Sequence, residues 1–205
     1  MKLFQFLTLI AALAMTVPTF ADETKALAVL ASDAGIEEKA NACDLLGRIG
    51  TAKAVPALAE LLADEKLHDY ARDGLERIAD PAAGKALLDA AGTLEGNLRV
   101  GVITTLGDRG DAEAIPALSK IAKEGKGHDS GAALASLAQI ASDDSVAAIL
   151  DVLANGEAKA KAAAARAALL AAQKMEKSGS EEGAKKLREA VAGADVPDYL
   201  KAAAK

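Results

Sequence analysis

Leu45–Asp64 reads LLGRIGTAKAVPALAELLAD, and 60 residues later Thr105–Glu124 reads TLGDRGDAEAIPALSKIAKE. The two stretches carry leucine, glycine, alanine and proline at matching positions. Weaker copies, LERIADPAAGKALL and LAQIASDDSVAAIL, lie between and after them. The four copies begin at leucines 29, 31 and 31 residues apart, here called the repeat leucines: Leu46, Leu75, Leu106 and Leu137. A fixed period near 30 residues indicates a repeat architecture.

Each copy has the pattern of a helix, a turn and a second helix. The second part has apolar residues at helical spacing, as in Ile115, Leu118 and Ile121. Glycine directly after a repeat leucine, at Gly47 and Gly107, predicts the left-handed end of the first helix. Residues suited to capping the second helix follow: Thr51, Asp80, Asp111, and Ser142 or Asp143. No stretch alternates with period two, so the predicted fold is all-α.

One pair of helices of this length cannot bury its apolar side alone, so the copies should stack into a solenoid with a continuous core. The predicted organisation is a signal peptide at 1–21, an N-terminal cap helix at 22–36, a repeat domain at 37–192 and a C-terminal tail at 193–205. The repeat domain divides into five units, at about 37–64, 65–94, 95–124, 125–156 and 157–192. The fifth is degenerate.

The N-terminus has the three parts of a secretory signal. Lys2 precedes the apolar run LFQFLTLIAALAMTV, and TFA ends at Ala21, where cleavage is expected. An uncleaved N-terminal anchor is the alternative. We therefore expect an exported protein, periplasmic or secreted, with no stable membrane insertion after cleavage. The net charge of −6, which loss of Lys2 would make more negative, argues against nucleic acid as a partner.

The composition indicates a folded, core-stabilised domain without disulfides. Hydrophobic residues make up 51% of the chain and aromatic residues only 2%. The single cysteine, Cys43, cannot form an intramolecular disulfide, and its position near Leu46 predicts a buried small apolar side chain. A reactive or intermolecular thiol is the alternative.

No pattern in the sequence predicts catalysis, a metal or a cofactor. The two histidines, His68 and His128, lie two repeats apart, or about 20 Å at 10 Å per helix layer. They therefore cannot bind one metal ion. Each precedes an aspartate, Asp69 or Asp129, and each pair is expected at a helix start, where the aspartate meets the positive end of the dipole. No nucleophile elbow or phosphate-binding glycine loop is present.

Charged residues recur at one repeat position, fourteen residues after each repeat leucine. They are Glu60, Asp89, Lys120 and Asp151, here called the charge column. If the second helices line a concave face, these residues would form a charged row able to meet a peptide or a partner helix. An ordinary solvated helix surface is the alternative.

The unit LGxxGxxxAVPAL resembles the HEAT repeat in its short bacterial form, the PBS-lyase HEAT-like repeat. The longer stretch from Ala54 to Leu118 is similar to secreted HEAT-repeat proteins of planctomycete and verrucomicrobial bacteria. This resemblance implies a right-handed α-solenoid with the second helices on the concave side, and it implies no activity. Some such proteins carry haem modules, but this sequence has no Cys-x-x-Cys-His, and it lacks the His-Glu motif of di-iron HEAT-repeat hydroxylases.

The leading hypothesis is a non-enzymatic exported scaffold that binds protein or peptide partners through a concave helical face. A second hypothesis is an accessory relative of a larger haem-containing redox protein. A third is an enzyme or lyase whose site is not recognised. The low aromatic content argues against a tetrapyrrole pocket of the phycobilin-lyase kind.

Overall fold

A computed structural model describes residues 20–124 and 127–205, and its regular elements are helical. The helices are α1 Phe20–Leu30, α2 Ile36–Ile49, α3 Val55–Glu60, α4 His68–Arg77, α5 Pro81–Thr93, α6 Gly96–Arg109, α7 Ile115–Glu124, α8 His128–Ile140, α9 Asp143–Asn155, α10 Ala158–Lys177, α11 Glu181–Gly193 and α12 Asp198–Ala203. Short 3₁₀ turns, Leu61–Ala63 and Ala112–Ala114, follow α3 and precede α7. The described residues contain no strand, which confirms the all-α prediction.

The helices form two stacked layers. One layer contains α2, α4, α6, α8 and α10, here called the first helices, each of which packs on the next. The other contains α3, α5, α7, α9 and α11, the second helices, in which α3 contacts α5, α7 contacts α9, and α9 contacts α11. Between α5 and α7 the contact runs through the 3₁₀ turn that precedes α7. This arrangement confirms the solenoid of helical pairs.

A single seam of apolar side chains joins the two layers. The four repeat leucines are fully buried. Twelve residues after each one, the second helix contributes another fully buried side chain: Leu58, Leu87, Leu118 and Ile149. All eight belong to one continuous core cluster. The predicted register is therefore correct, because each unit completes its core with side chains of its neighbours.

The glycines that follow the repeat leucines do not end the first helices, so that prediction was wrong. Gly47 lies inside α2 and Gly107 inside α6. A Cβ atom on Gly47 would lie 3.0 Å from the Cα of Gly74 in α4. These glycines are needed where neighbouring first helices cross closely. The left-handed residue that ends α6 is Gly110, with φ of 71°.

Two of the predicted caps are confirmed and two differ. Asp80 accepts a hydrogen bond from the N–H of Ala82, and Ser142 accepts one from the N–H of Ser145. Asp111 instead pairs with a neighbouring arginine and makes no side-chain cap bond. Thr51 donates both its N–H and its hydroxyl to the carboxylate of buried Glu23, at 2.7 and 2.9 Å. This contact attaches α1 to the first repeat, a link that sequence periodicity cannot reveal.

The two ends of the stack are covered by short helices. At the N-terminal end α1 packs on α2, and at the C-terminal end α12 packs on α10 and α11 through buried Leu200. The predicted signal segment lies outside the described residues except for Phe20 and Ala21, which belong to α1. Within the described part of the chain, no helix combines the length and apolar character required to cross a bilayer.

Candidate functional site

The four residues of the charge column occupy equivalent places on four successive second helices. Glu60 ends α3, Asp89 lies in α5, Lys120 in α7 and Asp151 in α9. Glu60, Asp89 and Lys120 are exposed, and Asp151 is half-buried. The structure thus places all four on the outer surface of one layer.

A row of alanines runs beside the charge column. Three residues before each charged position the chain has Ala57, Ala86, Ala117 and Ala148, and all four are half-buried. Residues three apart are neighbours on a helix surface, so each alanine lies next to its charged residue. Because a methyl group is the whole side chain at these positions, the alanine row leaves a shallow floor along the second helices. A partner backbone can approach closely there.

Local ion pairs compensate two of the four charges. The Asp89 carboxylate lies 3.1 Å from the Lys85 ammonium one turn earlier in α5. The Asp151 carboxylate pairs with Lys123 and accepts a hydrogen bond from the Asn155 amide at 2.8 Å.

The hydrogen bond from Lys123 is the main cause that lowers the pKa of Asp151, and the hydrogen bond from Asn155 is the next largest. Glu60 and Lys120 make no ion pair with another described residue, so their charges are the ones available to a partner.

A surface groove adjoins the C-terminal end of the charge column. It has a volume of about 620 Å³ and lies where the end of α9 meets the starts of α8 and α10. Its polar lining includes Lys123, Ser130, Asp151, Asn155 and Lys159. These ammonium, hydroxyl, carboxylate and amide groups suit hydrogen bonding to a peptide.

The histidines and the cysteine are placed as structural residues. His68 and His128 are the first residues of α4 and α8, with Asp69 and Asp129 in the first turns, as predicted. Cys43 is fully buried, and burial raises the pKa of its thiol to about 11. Among the described residues, no group of three or more histidine, cysteine, aspartate or glutamate side chains is arranged to hold a metal ion.

Arginines that tie one repeat to the next were missed by the sequence analysis. Arg77 of α4 reaches back to Asp44 of α2, at 2.8 Å. Arg109 is almost fully buried and donates to the carbonyls of Leu75, Glu76 and Ile78 at the end of α4. The pair of Asp44 and Arg77 could have been predicted from the sequence. In both of the first two units, an aspartate lies two residues before the repeat leucine and an arginine lies two residues after it.

The comparisons with known proteins agree with this architecture. Residues 41–64 match the model of the PBS lyase HEAT-like repeat. The matched segment covers most of α2, the turn, α3 and the 3₁₀ turn after it, which is one helical pair. No curated protein matches the chain. The match over one repeat, together with the stacked helical pairs, supports a HEAT-repeat family for this protein.

Proposed function

We propose that this protein is a non-enzymatic exported scaffold that binds a protein or peptide along the second helices, on a concave face. The observation that carries the proposal is the alanine row beside the charge column, repeated in four units. A recurring shallow floor with charges along one edge suits an extended or helical partner, because each repeat offers it the same contacts. The partner would place a cation opposite Glu60 and an anion opposite Lys120.

Export is part of the proposal and rests on the N-terminal sequence from Lys2 to Ala21. The test is cell fractionation followed by mass measurement of the mature chain. A chain that begins at Asp22 in the periplasm or the medium supports export. A cytoplasmic chain that retains residues 1–21 contradicts it.

Photo-crosslinking from single positions tests the binding face. A benzoylphenylalanine at residue 89 or 120 should capture a defined partner in native extracts, identified by mass spectrometry. The control is residue 66, which is exposed in the turn between α3 and α4 and is not part of a second helix. Equal capture from residue 66 would contradict the proposed face.

Substitutions in the alanine row then test the mechanism with the captured partner. Ala86→Arg and Ala117→Arg should each weaken binding at least about tenfold, because a long side chain fills the floor that the partner contacts. Charge reversal at Glu60 and Lys120 should weaken binding less and make it less salt-dependent. Binding that tolerates all four changes would refute this surface.

A further inference from the structure

A small pocket lies between the second and third units, at the edge of the stack where the turns before α5 and α7 meet. It has a volume of about 190 Å³ and lies between Gly84 and Leu88 of α5 and the segment 109–114; it is here called the unit 2–3 pocket. At this junction α5 meets the 3₁₀ turn Ala112–Ala114, whereas α3 packs on α5 and α7 packs on α9. The pocket therefore lies where two neighbouring second helices are separated by a turn.

The second unit lacks a side chain at this junction that the other units have. Nine residues after the repeat leucine, three units carry a buried β-branched residue: Val55, Ile115 and Val146. The second unit has Gly84 at this position, and a Cβ atom there would overlap the carboxylate of Asp111 in the third unit. The missing side chain thus leaves space between the two units and lets Asp111 approach α5.

The third unit places a cation where the other units place isoleucine. Three residues after the repeat leucine the chain has Ile49, Ile78 and Ile140, but Arg109 in the third unit. The Arg109 side chain is only 5% exposed, and it lines the unit 2–3 pocket. Stacking alone does not require a buried cation, because the other units carry apolar residues at this position. The two departures from the repeat, Gly84 and Arg109, meet at the same junction.

Arg109 keeps one nitrogen for a further contact. Its Nε donates to Oδ2 of Asp111 at 2.6 Å, and its Nη1 donates to three carbonyls at the end of α4. Nη2 makes no hydrogen bond with another described residue. It is not among the enclosed unpaired nitrogens of the described side chains, so water reaches it.

Asp111 keeps one oxygen for a further contact. Its Oδ2 accepts from Arg109, whereas Oδ1 accepts no hydrogen bond from residues 20–124 or 127–205. Asp111 also lines the pocket. The unit 2–3 pocket therefore has a donor group and an acceptor oxygen on neighbouring side chains.

We propose that the unit 2–3 pocket binds a primary carboxamide on a short apolar chain, either a glutamine side chain of a partner or a small free amide. The carbonyl of the ligand would accept from Nη2 of Arg109, and its NH₂ group would donate to Oδ1 of Asp111. The methylene groups would contact the apolar part of the lining, which includes Pro81, Leu88 and buried Leu106.

The charges around the pocket favour a neutral ligand. Asp111 compensates Arg109, and exposed Glu113, which also lines the pocket, adds a negative charge. A carboxylate ligand would be repelled by the two acids, and an ammonium ligand by Arg109, which it also could not pair. The volume corresponds to about six water molecules, which matches a three-carbon amide.

This inference does not rest on the proposed function. No residue of the charge column or the alanine row lines the unit 2–3 pocket. Purified protein and small probes test it without a partner, so it can fail or succeed independently of the second-helix surface.

Nuclear magnetic resonance titration of nitrogen-15-labelled protein is the first test, read at the backbone amides of Gly84 and Ala112. Propionamide should shift these signals and saturate with a Kd of about 10 mM or less, an affinity that so few atoms allow. Propionate and propylammonium should bind at least about tenfold more weakly. Absence of a shift at about 100 mM propionamide, or equal shifts with all three probes, overturns the proposal.

A matched pair of variants assigns binding to this pocket. Ala112→Leu places a larger side chain on an exposed residue of the lining and should weaken propionamide binding at least about tenfold. Ala52→Leu makes the same change at the equivalent exposed position of the first unit and should leave binding unchanged. Both variants should keep the wild-type melt. Wild-type affinity in Ala112→Leu, or loss of binding in Ala52→Leu, would place the ligand elsewhere.

Two further variants test the chemistry of recognition. Asp111→Asn removes a negative charge from the pocket, so propionate should then bind at least as tightly as propionamide. Glu113→Gln removes a charge from an exposed residue and should shift the preference in the same direction, and it decides the question if Asp111→Asn does not fold. A folded variant set that keeps the wild-type preference for propionamide contradicts the assigned contacts.

Peptide probes distinguish the two sources of the amide. If acetyl-Ala-Gln-Ala-amide binds at least about tenfold more tightly than propionamide, the ligand is a glutamine side chain of a partner. If it binds no more tightly, the ligand is a small free amide. Tighter binding of acetyl-Ala-Glu-Ala-amide than of the glutamine peptide would refute the carboxamide site.

Discussion

Gly107 of α6 lies against Ser136 of α8 so closely that a Cβ atom on residue 107 would sit 2.6 Å from the Ser136 Cα. The hydroxyl of Ser136 donates to the carbonyl of Ile103 at 2.8 Å, so the two helices are also joined by a buried hydrogen bond. Both residues belong to first helices of consecutive repeats. The spacing between repeats 3 and 4 therefore depends on the absence of a side chain at residue 107.

Gly107→Ala should destabilise the protein by about 1–3 kcal/mol, because α6 and α8 must separate to admit the methyl group. Gly131→Ala is the matched control. Gly131 lies within α8, and a Cβ there meets nothing within 4 Å. The control should be neutral or stabilising by up to about 1 kcal/mol, since alanine favours the helix. Urea unfolding followed by circular dichroism measures both, and equal midpoints would contradict the close crossing.

The fold could be predicted from sequence because its main determinants recur with the repeat. The repeat leucines and their partners twelve residues later are apolar in each of the first four units, so periodicity alone indicates the core. Gly47 and Gly107 were misinterpreted because a glycine near a helix end has two uses, a left-handed cap or a close crossing. Local sequence does not distinguish the two, since the second depends on a helix about 30 residues away.

Contacts between repeats were predictable only where the sequence repeats them. Asp44 and Arg77 could have been paired from the recurrence of aspartate and arginine in the first two units. The contact of Glu23 with Thr51 occurs once, so no periodic signal indicates it. The charge column can be identified from sequence because it is periodic. Its effect on a partner depends on the side chains of that partner, which this sequence does not contain.

Arg109 acts as a cap that one repeat supplies to the preceding one, and its loss should be costly. Arg109→Met should destabilise the protein by about 2–4 kcal/mol, because three carbonyls at the end of α4 lose their donor and Asp111 loses its partner. The stability of Arg109→Lys should lie between those of wild type and Arg109→Met, because an ammonium group lacks the planar set of donors of a guanidinium group.

Arg48→Met is the control for that series. Among the described residues, the one ion-pair partner of Arg48 is Asp44 in the same helix, at 2.9 Å and exposed, so loss of Arg48 should cost less than about 1 kcal/mol. Chemical denaturation compares the variants. If Arg109→Met and Arg48→Met lose the same stability, the capping role of Arg109 is refuted.

Removing the charge of Asp44 and removing the charge of Glu76 should change the stability of the fold in opposite directions. The bond from Arg77 lowers the pKa of Asp44, so this aspartate stabilises the folded state above its unfolded pKa near 4 and loses that effect as the pH falls through its lower folded value. Burial raises the pKa of Glu76, so its ionisation above pH 4 opposes folding. Asp44→Asn should therefore lower the Tm at pH 7, and Glu76→Gln should raise it.

Both differences from wild type should shrink as the pH falls to about 2, where the carboxyls are protonated in folded and unfolded chains alike. Thermal melts at about 1 µM protein provide the measurement, because association contributes least to the Tm at low concentration. A Tm change that is the same at pH 7 and at low pH would show that packing, and not charge, causes it.

Cys43 should be protected from thiol reagents as long as the repeats stay stacked. Its side chain is fully buried, and burial raises the pKa of the thiol to about 11. At pH 8 the thiolate fraction is then about 100-fold below that of an unperturbed cysteine, and access is blocked as well. Labelling with a chromogenic disulfide should be at least about 100-fold slower in buffer than in denaturant. Labelling at a similar rate in both would mean that α2 separates readily from its neighbours, and it would contradict the prediction that the stacked repeats protect Cys43.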